Sequence, residues 1–433
     1  CLVFFRAKPP PIRFAIALLS TAVGSYAPEM IGLIGTSSND IITTIFVIIP
    51  LILIIPLLSE DRGQNPNRER WRLSLAGIFL GIGIGLKLTL AIYGIAFIMA
   101  VGFSSNNWKE NIRWILIVGF AMFVGLLISR GWWMWYLFQT YESPLFPFYN
   151  SVFRSPYYPD INYADMRYLP KNLLDHLLFP FYRIYENQIT YFQHGDRDIR
   201  NTIVYILILA WLVKRVWPHL MQEKVGERRV LESLHQRERF LLLFFIFAYL
   251  IWQLKFSIYR YDVPLELLAP VVIVVLIDHL FRENLHKYIT FGLLALIIAV
   301  VMNASEWERL PFKKDYYRVR APVIPDPSNT ILLMAGSRPW AYLLPFFPPE
   351  IRVVRLTSNF VKVNQSTEKL LEEIKSAVGS HQGSMYLISR ERYLKEHLQD
   401  MAAYDLKLAD RYAFPIYSEH EPPGLLLIRV EKM

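Results

Sequence analysis

Apolar runs of 15 to 20 residues alternate with short charged segments along most of the chain, and only the last part breaks this pattern. The clearest runs cover residues 12–26, 40–58, 112–128, 199–213, 240–256, 263–277 and 288–302, and a longer tract at 71–103 has room for two more. Helices of this length rise 1.5 Å per residue and approach the ~30 Å hydrocarbon core of a bilayer. The pattern therefore predicts an all-α polytopic membrane bundle of about nine spans over residues 1–302, several of them short. Read as one helix, the 71–103 tract would reach ~50 Å. The ladder Gly81-Ile82-Gly83-Ile84-Gly85 instead predicts two arms joined near residues 83–89, since glycine permits turns and close helix approach.

Beyond residue 302 the periodicity changes. Residues 303–329 are polar and proline-bearing and read as a linker, followed by short apolar runs at 330–335, 351–356, 384–389 and 424–430 with helical patterns at 367–378 and 391–404. This alternation predicts a small α/β domain over 330–433. The turn Gly336-Ser337-Arg338-Pro339-Trp340 follows the first strand, where open sheets often bind ligands, but it lacks the GxGxxG pattern of dinucleotide sites. Docking or scaffolding is one reading of the domain. Recognition of a glycan or partner by Arg338 and Trp340 is the other.

Composition sharpens the picture. The 433 residues are 54% hydrophobic and 15% aromatic, which suits a membrane protein, and a single cysteine excludes an internal disulfide framework or a cysteine-based metal cluster. The formal charge of +9 is scattered through loops beside apolar runs, so it argues for lipid headgroups or phosphates rather than nucleic acid. Basic segments at 60–72, with four Arg, at 214–239, with seven Lys or Arg, and at 282–287 read as cytoplasmic. Alternation then puts 131–200, the 257–262 turn and everything after 302 outside, with Lys87 near an external turn. The chain opens at Cys1, and residues 1–5 read as the end of a span, so a preceding segment is expected.

The candidate chemistry lies on this external side. A charge as deep in an apolar tract as Lys87 faces protein or water and often marks a functional cavity. The turn Ser257-Ile258-Tyr259-Arg260-Tyr261-Asp262-Val263-Pro264-Leu265-Glu266 places Arg260 at the outer mouth of the bundle, either for a lipid-borne phosphate or within an ion-pair network with Asp262 and Glu266. Arg154, Arg167 and Lys171 sit in an external loop stiffened by Pro144, Pro147, Pro156 and Pro159, where they serve as hydrogen-bond donors to a phosphate or as headgroup contacts. Within that loop, 173–185 reads as an amphipathic helix in the interface plane whose polar side offers Asp175, His176 and Arg183. Asp40 reads as a helix cap, and Glu29 either as a cavity carboxylate or as loop polarity.

Taken together, residues 81–89 (GIGIGLKLT), the Asn39-Asp40 start of a span, the 132–160 loop (WWMWYLFQTYESPLFPFYNSVFRSPYYPD) and Arg260-Tyr261-Asp262-Val263-Pro264-Leu265-Glu266 resemble bacterial polytopic glycosyltransferases of the GT-C type. These are related to the dolichyl-phosphate-mannose and lipid A aminoarabinose transferase superfamily. The resemblance covers most of residues 20–303. It implies inverting transfer of a hexosyl or pentosyl group from a polyprenyl-phosphate carrier to an envelope glycan, lipid or protein acceptor at the outer face of a bacterial inner membrane, with the C-terminal domain extracytoplasmic. It further implies that Lys87, Arg260, Arg154 and Arg167, with Tyr261, Glu266, Glu29 and Asp40, bind the carrier phosphate or substrate. The catalytic carboxylate of the family lies in the first external loop, which falls in the expected preceding segment, so no base is named. A divalent metal is disfavoured, because no carboxylates or histidines stand at ligand spacing. A transporter or flippase of a lipid-linked glycan needs the same cations without a base, and a structural envelope subunit is a third reading.

Overall fold

The computed structural model describes residues 4, 8–58, 65–162, 165–184, 196–220, 234–304, 317–363, 367–421 and 423–433, without the side chains of 217–220, 368 and 410–412. Much of the basic segments at 60–72 and 214–239, and nearly all of residues 1–5, lies outside them. The helices are α1 (Pro10–Ser25), α2 (Pro28–Gly32), α3 (Asp40–Ile54), α4 (Pro66–Leu86), α5 (Ala91–Gly102), α6 (Trp108–Tyr141), α7 (Asn150–Phe153), α8 (Leu173–Tyr182), α9 (Arg200–Leu220), α10 (Gln236–Lys255), α11 (Val263–Leu280), α12 (Asn284–Val301), α13 (Glu368–Gly379) and α14 (Leu394–Ala402). The strands are β1 (Thr330–Met334), β2 (Arg352–Arg355), β3 (Ser384–Arg390), β4 (Leu406–Pro415) and β5 (Leu425–Lys432).

The apolar runs read before residue 303 fall on helices, but the expected nine-span all-α bundle is corrected. Among the described residues four helices are long and apolar enough to cross a membrane: Asp40–Leu57, Trp108–Tyr141, Val263–Leu280 and Asn284–Val301. Four of the others fall short for identifiable reasons. The 16 residues of α1 and the 12 of α5 reach about 24 and 18 Å. The first turns of α4 carry Arg68, Glu69, Arg70 and Arg72, and α10 begins Gln236-Arg237-Glu238-Arg239. The chain is a mostly helical protein with several long apolar helices and a distinct C-terminal mixed α/β domain, consistent with a multi-pass membrane protein.

Two compact units divide the chain: Cys1–Trp132 with Ala164–Arg309, and Trp133–Tyr163 with Leu310–Met433. In the first, α11 is the central helix, 72% buried and packed on α1, α3, α9, α10 and α12, whereas α12 is 17% buried. The glycine ladder decides how α4 packs. Gly77, Gly81 and Gly85 share one face at i, i+4 spacing and meet α6. A methyl on Gly77 would lie 2.5 Å from the Val118 carbonyl oxygen, and one on Gly81 would fall on that of Met122. Gly83 points the other way, with Phe46 Cβ of α3 2.6 Å from where its Cβ would stand. The tract breaks at Lys87, whose extended backbone (φ −149°, ψ 107°) ends α4 before a short 3₁₀ turn, Leu88–Leu90, leads into α5.

In the second unit the sheet order is β2-β1-β3-β5-β4, with β1 parallel to β2 and β3, and β5 antiparallel to β3 and β4. The sheet is open. Ile331 and Leu333 pack on one face with Val378, Met401 and Tyr404, and Leu332 and Met334 on the other with Trp340 and Leu343, so β1 is buried throughout. The proline-aromatic segment belongs to this unit: Tyr157 Oη donates to Glu373 Oε1 (3.1 Å), Lys369 Nζ pairs with Glu142 Oε1 (3.1 Å), and Phe148 meets Phe360 edge to face.

Because the α4 to α6 contact is made by backbone, it cannot yield as a side chain would. Gly81→Ala should destabilise the protein by about 1–3 kcal/mol through overpacking. Gly119→Ala, whose methyl would enter open space, should be neutral or slightly stabilising. Thermal unfolding of both variants in detergent, followed by circular dichroism, measures the difference.

Candidate functional site

The connection between α10 and α11 turns at Ser257 (φ 51°) and continues as the short helical turn Tyr259–Tyr261, with Asp262 at the N-cap of α11. Trp252 Nε1 donates to the Ile258 carbonyl (2.9 Å), and Tyr93 Oη of α5 donates to the Tyr261 carbonyl (2.6 Å), fixing the turn from both sides. Its two tyrosines face different charged groups.

Around Tyr261, the ammonium of Lys87 stands 4.9 Å from the ring centroid and the guanidinium of Arg260 5.3 Å, an arrangement favoured by the negative face of the ring. The two cations are close enough to repel one another. Lys87 is ion-paired with Asp40, which also accepts from Ser38 Oγ. Arg260 has no carboxylate partner among the described residues, and its Nη2 donates to Tyr261 Oη at 3.4 Å. Arg130 of α6 adds a third cation to this end of α4, where its Nη1 donates to the Gly85 carbonyl (3.1 Å).

Around Tyr259, Arg183 lies 3.9 Å over the ring, its Nη1 donating to Glu266 Oε1 (2.7 Å) and its Nη2 to Glu29 Oε1 (3.3 Å), with Asp198 Oδ2 at 3.9 Å. Asp198 also binds Arg200 Nη1 (2.8 Å), and Arg200 Nη2 donates to the carbonyls of Val23 and Tyr26 at the end of α1. A cation there satisfies carbonyls that have no partner within the helix. Asn201 Nδ2 donates to Asp262 Oδ2 (2.7 Å). Glu29, Asp196, Asp198, Asp262 and Glu266, together with Arg183 and Arg200, are all at most 6% exposed. Burial raises the Glu29 carboxyl well above its ordinary range, helped by Asp196 and Glu266 and opposed by Arg183.

The structure thus brings Lys87, Asp40, Arg260 and Tyr261 into one group, with Glu29 and Glu266 in the adjoining one. Asp40 begins α3 as expected, but no side-chain cap bond forms and its carboxylate goes to Lys87 instead. Asp262 and Glu266 turn to Asn201 and Arg183, so the ion-pair network with Arg260, one of its two readings, does not form among the described residues. Arg167 stays apart, exposed and held by Asp165 through Nε (2.8 Å) and Nη2 (2.6 Å). Arg154 is exposed and belongs to the second unit, as the left-handed residue (φ 53°) that ends α7. Sequence reasoning noted Arg183 only as the polar side of an amphipathic helix and passed over Asp198 and Arg200. The available signal was the run Asp196-Arg197-Asp198-Ile199-Arg200 standing directly before an apolar helix. Among the described residues no group of three or more His, Cys, Asp or Glu side chains is placed to hold a metal ion.

Removing one partner of a buried ion pair strands the others, so Arg183→Ala should cost about 3–5 kcal/mol in unfolding free energy, whereas Arg167→Ala should leave stability unchanged. Glu29 binds its proton more tightly when folded than when unfolded. Its contribution is therefore complete at low pH and is lost as pH rises from the ordinary carboxylate range through the raised folded value. Denaturation midpoints measured across that window should fall in the wild type and fall less steeply in Glu29→Gln.

No family model, no curated protein and no solved structure matches the chain.

Proposed function

We propose that the protein transfers a sugar from a polyprenyl-phosphate carrier to an envelope glycan, lipid or protein acceptor, in a bacterial inner membrane with its C-terminal unit outside the cytoplasm. The observation that carries this reading is the pair of cations on Tyr261. Lys87 and Arg260 face one ring, and among the described residues one carboxylate, Asp40, is ion-paired within that group. Two neighbouring positive charges with one counter-ion favour an anion with several oxygens, and a guanidinium beside an ammonium suits phosphate.

Carrier binding exchanges one anion for another. The phosphate takes Lys87 and Arg260, and Asp40 is released from its lysine. The acceptor hydroxyl loses its proton to a carboxylate, its oxygen bonds to the anomeric carbon from the side opposite the phosphate, and the carbon–oxygen bond to the phosphate breaks with its electrons. Lys87 and Arg260 neutralise the charge that develops on the departing phosphate. Asp40, freed beside the reacting centre, is the carboxylate this geometry offers for the proton.

Full-length protein in proteoliposomes, given a panel of polyprenyl-phosphate sugars, should release free carrier phosphate. Lys87→Ala and Arg260→Ala should each lower that release by about 100-fold or more, with unfolding temperatures showing that both variants fold. Full turnover in both variants would reject the assignment, and movement of the intact lipid-linked sugar without release of carrier would replace transfer by transport.

A further inference from the structure

The second unit carries a cavity that the transfer reaction does not use. From β1 the chain winds to β2 on one side, then crosses back through α13 to place β3 on the other side of β1. Where parallel strands wind in opposite directions from a shared neighbour, their connections part and leave a crevice beyond the carboxyl ends. A cavity of about 490 Å³ lies in that position, lined by Ser337 after β1, by Ser358, Asn359 and Lys362 after β2, and by Glu396 and Asp400 on α14 after β3. Its size falls in the range of small-molecule sites.

The floor of the crevice is held in place before any ligand arrives. The Gly336 amide donates to Thr357 Oγ1 (2.8 Å), and Thr357 Oγ1 donates in turn to Asp400 Oδ2 (2.6 Å). Arg355 ties the two loops together from behind, with its Nη2 donating to the carbonyls of Gly336 (2.6 Å) and Arg338 (3.0 Å) and its Nε to that of Thr357 (3.1 Å). Gly336 has φ +72°, and a Cβ on it would lie 2.8 Å from His397 Nε2, so this turn requires glycine twice over. Trp340, the stacking surface in the recognition reading of the domain, is fully buried, with Nε1 donating to Glu421, and Arg338 lies over Tyr393.

The lining decides the class of ligand. Two carboxylates on one face of α14 oppose a phosphate, and the turn after β1 offers no glycine-rich cradle for one. No three acidic or histidine side chains converge on a cation among the described residues. What remains is a lining that combines acceptors, Glu396 and Asp400, with the Asn359 amide as donor and serine hydroxyls able to do both. Adjacent hydroxyls on a sugar ring donate and accept at once and satisfy such a set without bringing charge. The structure assigns to this crevice the binding of a neutral sugar. The assignment does not rest on the transfer chemistry of the helical unit.

Ligand-observed saturation-transfer NMR on the full-length protein in nanodiscs tests it, with glucose, galactose, mannose and N-acetylglucosamine as probes and AMP and inorganic phosphate as anionic competitors. At least one neutral sugar should bind saturably. Affinity should fall about tenfold or more in Glu396→Ala and in Asn359→Ala, each an exposed side chain whose loss spares the core, and should be unchanged in Lys87→Ala. The assignment is overturned if no sugar of the panel binds, if AMP or phosphate displaces it, or if binding survives both substitutions.

Discussion

The guanidinium of Arg183 is the constraint around which the helical unit is organised. It is 2% exposed and holds Glu29 from α2 and Glu266 from α11, with Asp198 beside it, while its flat face rests on Tyr259. An ion this deep in an apolar interior is tolerated only with its partners in place, so segments far apart in sequence must arrive together or not at all. Asp198 passes the constraint on to Arg200, which grips the end of α1. The result fixes the turn between α10 and α11 in a single position.

That position sets the stance of Tyr261. The turn presents one tyrosine to the buried arginine and the next but one to Lys87 and Arg260. Lys87 itself is placed by the glycine face of α4, which lets that helix lie directly on the backbone of α6 and end where the lysine meets Asp40. A buried electrostatic knot on one side and a close backbone contact on the other therefore determine how two mutually repelling cations share one aromatic ring.

Much of this was legible in the sequence, and the rest was hidden for definite reasons. Apolar periodicity located the helices, because burial and helical pitch leave their mark on neighbouring residues. It overstated the number of crossings, since α4 and α10 look apolar in their middles while their first turns hold arginines and glutamates. Charge alternation along the chain brought Lys87 and Arg260 to one side, and the structure places them at one ring. The partnership of Arg183 with Glu29 and Glu266 joins residues 154 and 83 positions apart, beyond the reach of any local pattern. Asp40 sits where a cap belongs, and nothing nearby in sequence reveals that its carboxylate serves a lysine 47 residues away. In the sheet, four strands were readable as apolar runs. The strand β4 was not, because it carries Lys407, Asp410 and Arg411 and pairs on one side only. Trp340, a stacking surface in one of the two readings of the domain, fills the core under β1.

The assembly of the second unit from two separated stretches has a bearing on biogenesis. Tyr157 bonds to Glu373, 216 residues further along, and Glu142 and Phe148 also reach Lys369 and Phe360 in the late stretch. At translation speeds of roughly 5–20 residues per second, the early aromatic segment leaves the ribosome on the order of ten to forty seconds before its counterpart exists. Throughout that interval the contacts of Tyr157 with Glu373 and of Phe148 with Phe360 are unmade, which makes the nascent segment a natural client for a chaperone or for the bilayer surface until the sheet is complete.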